Sequence, residues 1–175
     1  MRDIGFLSGA PGWLGLFHRI RASLNDFGNS IENETAFFYT LNFRSRDVFT
    51  AWVGNNYVKI QNAADPTNYT GIQLPAGTHH IWNSWGTSFT SRPQSLFTYG
   101  WETRYGGFYA NGTRLRLAGN AAYRVQPFGS IALAAEYNDI KFPADNPHGL
   151  KNAYFWLIGP RLDVTFTKKI YFTAF

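Results

Sequence analysis

The feature that most constrains this chain is a long-range alternation of apolar and polar residues with a period of two. Between Thr113 and Val125 the odd positions are mostly apolar, whereas the even positions carry Arg, Asn and Ala. Since successive side chains of a strand point to opposite faces, this pattern predicts β-strands with two unlike faces. The same alternation marks further predicted strands at residues 35–44, 95–105, 130–138, 154–166 and 170–175, and less cleanly at 48–60 and 79–90.

The length of these stretches favours strands that cross a membrane. Strands of soluble proteins usually have about 5–6 residues, whereas tilted transmembrane strands need about 9–11. Aromatic residues make up 18% of the chain and charged residues only 15%, and cysteine is absent. No apolar run reaches the roughly 18 residues of a membrane helix. We therefore predict an all-β fold, an antiparallel transmembrane β-barrel in the bacterial outer membrane, with barrel strands in residues 35–175 and uncertain structure in 1–34.

The predicted connections also have the asymmetry of an outer-membrane barrel, in which short turns alternate with longer loops. Short links are predicted at 45–47, 91–94, 126–129 and 167–169, and longer or Gly/Asn-rich ones at 61–78, 106–112 and 141–152. Most prolines fall in these links. Pro160 lies inside a strand, where we expect a bulge or kink. The alternative fold is a soluble sandwich or lipocalin-like barrel with its apolar face inside.

Several phrases carry a resemblance to a known family. They are DPTN at 65–68, LPAG at 74–77, RYGG at 104–107, NGTR at 111–114, YRVQPFGS at 123–130 and the stretch 157–175. Together they resemble the C-terminal region of a bacterial family that joins a domain like carbohydrate-binding module family nine to an outer-membrane-type barrel. The resemblance implies that this chain is an incomplete piece of a larger barrel, completed by further strands or a partner chain. It implies no catalytic residues.

The polar positions suggest where a solute could be handled. Parity puts nine charged residues on one face: Arg44, Glu102, Arg104, Arg114, Arg116, Arg124, Glu136, Arg161 and Asp163. They could form a salt-bridged filling of the barrel, or an arginine-rich constriction that admits anionic or sugar solutes. Trp82 falls on this face and is the candidate for sugar stacking. Trp85, Trp101 and Trp156 fall on the apolar face, as expected of lipid-interface anchors.

Other chemistry is not indicated by the sequence. His79 with His80, and Asp65 with Asn68 and Thr70, lack the ligand spacing of a metal site. No hydrolase or phosphate-binding motif occurs, so we expect no enzyme activity, cofactor or metal. A net charge of +5 is too small and too scattered to indicate nucleic-acid binding. We expect a passive pore, or a membrane anchor for a carbohydrate-related domain, with outer-membrane lipid as partner. The alternative function is a soluble all-β glycan-binding module.

Overall fold

The described part of the chain forms one antiparallel sheet of ten strands that follow one another in chain order. The computed structural model describes residues 4–8, 13–24, 30–125, 127–167 and 170–174, with side chains described for 32–125, 127–165 and 172–174. The strands are β1 (Ile4–Ser8), β2 (Trp13–Leu24), β3 (Ser30–Asn42), β4 (Val48–Lys59), β5 (His79–Thr90), β6 (Phe97–Phe108), β7 (Gly112–Val125), β8 (Gly129–Lys141), β9 (Ala153–Thr167) and β10 (Ile170–Ala174).

The prediction of an all-β antiparallel fold is confirmed, but closure into a barrel is not seen. Pairing runs from β1 to β10, and no pairing joins these two edge strands in the described part of the chain. β1, β2 and the start of β3 lie in residues 1–34, for which the sequence left the structure open. The described residues contain no helix that is long and apolar enough to cross a lipid bilayer.

The register carries the period-two pattern from strand to strand without interruption. From β3 to β9 each pair of neighbours keeps one register along its paired length. Because directly paired residues share a face, the sheet acquires one polar face and one apolar face. Leu117 is 41% exposed and Ile158 67% on the apolar face, whereas the Arg116 side chain is 26% exposed on the polar face. No described element covers the apolar face.

The buried apolar residues lie at one end of the sheet rather than along it. The cluster joins residues from the β4–β5 connection, the end of β6 and the β8–β9 connection, which meet at the same end: Ile60, Leu74, Phe108, Ile140, Phe142 and Leu150. The β4–β5 connection, residues 60–78, is ordered by its own backbone bonds, including the Ala64–Leu74 bridge. We call this end of the molecule the loop end.

Two predictions about local structure are wrong. The link at 106–112, predicted among the longer or Gly/Asn-rich ones on the long-loop side, is a tight turn, because β6 continues to Phe108 and Gly112 N–H donates to the Tyr109 carbonyl at 2.9 Å. Ala110 and Asn111 have φ angles of 50° and 60°, typical of a type I′ hairpin turn.

The second wrong prediction concerns Pro160, which causes no bulge in the β8–β9 register. β10 pairs only with residues of β9 that follow Pro160. Around Pro160 the described sheet therefore has a neighbour on one side only, and a missing N–H is tolerated at such an edge. The short link predicted at 167–169 lies largely outside the described residues.

We expect Leu74→Ala to lower the free energy of unfolding by about 2–5 kcal/mol, because Leu74 is completely buried in the cluster at the loop end. Leu96→Ala is the matched control, since Leu96 is 52% exposed in the β5–β6 turn, and it should cost about 0.5 kcal/mol or less. Urea unfolding of the purified protein measures both. Equal losses for the two variants would contradict a core at this end.

Candidate functional site

The polar face brings the predicted charged residues together, with one exception. The pairing of β6 to β9 puts Glu102, Arg104, Arg114, Arg116, Arg124, Glu136, Arg161 and Asp163 on one side of the sheet. Arg44 is the correction: β3 ends at Asn42, and Arg44 lies exposed in the β3–β4 turn. Strand parity therefore assigns Arg44 to neither face.

Arg116 is the centre of an ionic network on this face. Its Nη1 contacts Glu102 Oε1 at 2.7 Å, and its Nη2 contacts Glu136 Oε2 at 2.8 Å. Ala118 is the direct register partner of both glutamates, so its small side chain leaves room for Arg116 to reach each of them diagonally. The two carboxylates of this region are thus both used by one guanidinium.

Arg104 lies against an aromatic ring and two neutral polar groups. Its Cζ lies 5.2 Å from the centroid of the Trp52 ring, and its Nη2 is 3.4 Å from Asn56 Oδ1 and 3.3 Å from Ser84 Oγ. Trp52 covers Gly86, where an added Cβ would come within 2.8 Å of the indole. Glycine at this position therefore lets Trp52 lie flat across β5 and reach Arg104 on β6.

Arg114 also has a neutral partner. Its Nε and Nη2 both donate to Asn138 Oδ1, at 3.0 and 2.6 Å, and its Cζ lies 5.5 Å from the Phe108 ring centroid. Asn138 is fully buried, and its amide N–H in turn donates to Glu136. Arg114 is therefore tied to the Arg116 network through an amide rather than through a carboxylate.

A cavity of about 440 Å³ lies between these arginines and β3. Glu32 and Glu34 of β3 line it together with Arg104 and Arg114, although three strands separate β3 from β7. The sheet must therefore curve around its polar face. The other lining side chains include Asn56, Ser84, Trp82 and Tyr109, and Pro66 and Asn68 of the β4–β5 connection.

The β4–β5 connection is held over this face by an aspartate-centred turn. Asp65 Oδ1 accepts from Thr67 N–H at 2.8 Å and from its hydroxyl at 2.6 Å, and Oδ2 accepts from Gly71 N–H at 2.6 Å. Burial raises the pKa of Asp65, but these bonds lower it more, so the pKa lies below its usual value. Tyr69 extends the connection across the sheet and stacks on Phe155 of β9 with ring centroids 6.3 Å apart.

Trp82 lies on the polar face, but its ring is already engaged. The Trp82 centroid lies 4.9 Å from Tyr109 and 6.3 Å from Phe108. Trp82 therefore forms an aromatic end wall of the cavity. Trp85, Trp101 and Trp156 lie on the apolar face, where they are 53%, 39% and 63% exposed.

The residues considered for metal binding have other contacts. Asp65 is used by the turn described above, and His80 Nδ1 accepts from Ala110 N–H at 3.2 Å. Within the described ranges, no group of three or more His, Cys, Asp or Glu residues could hold a metal ion.

In comparisons with protein-family models, with curated proteins and with solved structures, no match was found. The family resemblance drawn from the sequence phrases therefore stays a prediction, and the function has to be argued from the geometry of the polar and apolar faces.

Sequence reasoning missed four polar residues of the cavity. Glu32 and Glu34 precede the first strand that was predicted. Extending the alternation of Phe37 and Tyr39 backwards along the chain would have placed both glutamates on the opposite, polar face. Asn56 and Ser84 belong to strands whose alternation is weak. The hydrogen bond from Asn56 Nδ2 to Ser84 Oγ, at 3.1 Å, depends on pairing that the sequence does not reveal.

We expect Arg116→Gln to lower the free energy of unfolding by about 1–2 kcal/mol, because two carboxylates would then face each other across Ala118 without a cation. The partial exposure of Glu102 keeps the loss below that of a fully buried pair. Arg124→Gln is the control, since the side chain of Arg124 is exposed and its guanidinium donates to the Pro93 carbonyl at 3.0 Å rather than to a carboxylate of the network. If both variants unfold alike in urea, the network has no structural role.

We expect the β4–β5 connection to loosen in acid. Because the folded-state pKa of Asp65 lies below its unfolded value of about 3.9, its contribution is complete above that value and is lost as the pH falls through the folded pKa. Hydrogen exchange at Gly71 N–H should therefore be slow at neutral pH and accelerate, beyond the intrinsic rate, below about pH 4. Asp65→Asn should remove this pH dependence, and Asp145→Asn should retain it. A pH dependence retained in Asp65→Asn would contradict the assignment.

Proposed function

We propose that this chain is part of an antiparallel transmembrane β-barrel of a Gram-negative outer membrane, and that its polar face lines a passive path for small polar solutes. The observation that carries the proposal is the two-sided sheet. Large apolar side chains such as Trp85, Ile131 and Ile158 are more than half exposed on one side, and an arginine-rich cavity lies on the other.

An apolar surface of this extent is unfavourable in water. Soluble monomers rarely expose contiguous apolar patches larger than a few hundred Å², and each large side chain left in water forgoes about 1.5–3 kcal/mol of burial. In hydrocarbon the same side chains are well solvated. The requirement there is instead that every backbone polar group is paired, which a closed sheet meets. We propose that the remaining strands of a larger barrel, or a partner chain, complete the pairing at the edges β1 and β10.

The apolar band crosses the strands at a slant, as it does on a tilted barrel. Towards the turn end, opposite the loop end, the apolar positions of β5 end at Phe89, whose partner is Trp101. In β6 the apolar positions continue beyond Trp101 to Phe97. Phe97 pairs with Tyr123 of β7, and in β7 the apolar positions continue beyond Tyr123 to Val125. A band of constant height cuts across rows of paired residues in this way when strands are tilted by about 35–45°.

The loop end favours a second candidate function, that of an anchor. The buried cluster around Leu74 and Phe142 fills the polar side at that end, which would restrict a path there. In this case the barrel would hold a carbohydrate-related domain at the membrane and conduct little. Solute influx into vesicles that contain the protein separates the two functions, since an anchor would give none.

Membrane orientation can be tested cleanly because the chain has no cysteine. We expect a nitroxide at Leu117→Cys, in the membrane of cells that express the protein, to be relaxed mainly by oxygen, which dissolves in lipid. One at Ala122→Cys should be relaxed mainly by a water-soluble nickel chelate, because residues an odd number of positions apart on one strand face opposite sides.

The reverse result, with Leu117 shielded inside a detergent-free soluble particle and Ala122 on its surface, would overturn the proposal. It would favour the soluble glycan-binding module instead. Ala122 is suited to this test because its register partners are Thr98 and Ala132, away from the Arg116 network.

A further inference from the structure

The cavity between β3 and β7 has two walls of opposite charge. Arg104 and Arg114 form one wall, and Glu32 and Glu34 contribute to the other. We propose that this cavity is a binding site for a small zwitterion, a solute that carries both a carboxylate and an ammonium group, as a free amino acid does. This inference rests on the proposed function, since it names the class of solute that the polar face would accept.

The two arginines are available because the nearby carboxylates are used elsewhere. Glu102 and Glu136 both pair with Arg116. Among the described side chains, Arg104 and Arg114 contact only neutral hydrogen-bond partners. A guanidinium has five N–H donors and binds a carboxylate through two of them. Among the described side chains, the Arg104 guanidinium makes two long hydrogen bonds, of 3.3 and 3.4 Å, besides its contact with the Trp52 ring, so most of its N–H donors can turn towards a ligand.

The acidic wall is best represented by Glu32. Its direct register partners are Ser23 on β2 and Val58 on β4, neither of which carries a charge. The register partner of Glu34 on β2 is an arginine, Arg21. We therefore assign the ammonium group of the solute to Glu32.

The cavity also fits this class of ligand in size and in apolar lining. A volume of about 440 Å³ falls within the range of roughly 300–1,000 Å³ typical of small-molecule sites. Trp82 and Tyr109 line it with aromatic surface, which suits an apolar side chain beside the two charged groups. Complementary charges on opposite walls orient a dipolar solute and disfavour one that carries a single charge.

The test compares four probes of similar shape on the detergent-extracted protein: leucine, N-acetyl-leucine, leucine amide and N-acetyl-leucine amide. They carry both charges, only the negative charge, only the positive charge, and none. We expect leucine to bind at least about tenfold more tightly than each of the others, with Kd measured by saturation-transfer NMR. Because this comparison uses the unaltered chain, it does not depend on any variant folding.

Variants test which wall of the cavity binds which charged group of the ligand. Glu32→Gln should abolish the advantage of leucine over N-acetyl-leucine and leave N-acetyl-leucine binding unchanged. Arg104→Gln combined with Arg114→Gln should weaken both ligands by about tenfold or more. Arg44→Gln, in the turn at the other end of the sheet, is the control and should change neither Kd.

Two results would overturn the inference: equal binding of leucine and N-acetyl-leucine by the unaltered chain, or a full preference for leucine in Glu32→Gln. Its failure is distinguishable from failure of the proposed function. A lipid-facing Leu117 without charge preference would overturn the zwitterion site alone. A water-soluble particle that still prefers leucine would overturn the membrane proposal and support the site.

Discussion

The constraint on which the rest of this structure depends is the unbroken register of neighbouring strands. A shift by a single residue at any one pairing would move all side chains of the next strand to the opposite face. The constant register from β3 to β9 keeps arginines with arginines and aromatic residues with aromatic residues. The sheet therefore has two faces that favour different surroundings, and any function follows from which face meets which medium.

Carboxylate partners are distributed unevenly among the arginines of the polar face. This difference separates an arginine that stabilises the fold from arginines that can bind a solute. Arg104 lies directly opposite Arg116 in register, an arrangement that is unfavourable by itself. Glu102 and Glu136 offset this repulsion by flanking Arg116 on both sides. Arg114 has no carboxylate partner of this kind among the described side chains. Its polar partner there is the Asn138 amide. Arg116 is therefore the stabilising member of the group, whereas Arg104 and Arg114 retain binding capacity.

The sequence predicted those parts of the fold that depend on local pattern. Period two marked the strands β3–β10 and put Glu102 and Arg116 on one face, because parity needs only the chain itself. The sequence did not predict features that depend on contacts between residues far apart in the chain. The engagement of Trp82 by Tyr109, and the passage of Trp52 over Gly86, depend on register between strands. Tolerance of Pro160 depends on where β10 stops pairing.

The β6–β7 link shows the same limit at short range. The Asn-Gly pair at 111–112 is a strong hairpin signal, and it marked a turn correctly. The observed turn is centred one residue earlier, on Ala110 and Asn111. The reason is packing: Phe108 and Tyr109 belong to the aromatic contacts of the loop end, and that extends β6 beyond the point where its alternation fades. Tertiary contacts can therefore shift a turn by one residue from the position that its Asn-Gly pair favours.

One wall of the cavity is formed by paired strands and another by the β4–β5 connection, and this difference bears on how a solute would enter. Arg104 and Arg114 project from paired strands, whose positions are fixed by backbone hydrogen bonds on both sides. Pro66 and Asn68 come from the β4–β5 connection, which is held by the Asp65 turn and by the Tyr69–Phe155 stack. Opening by local rearrangement should be cheapest where few backbone bonds must break. Entry to the arginine wall would therefore be governed by the β4–β5 connection, and the sheet would set which solute is retained.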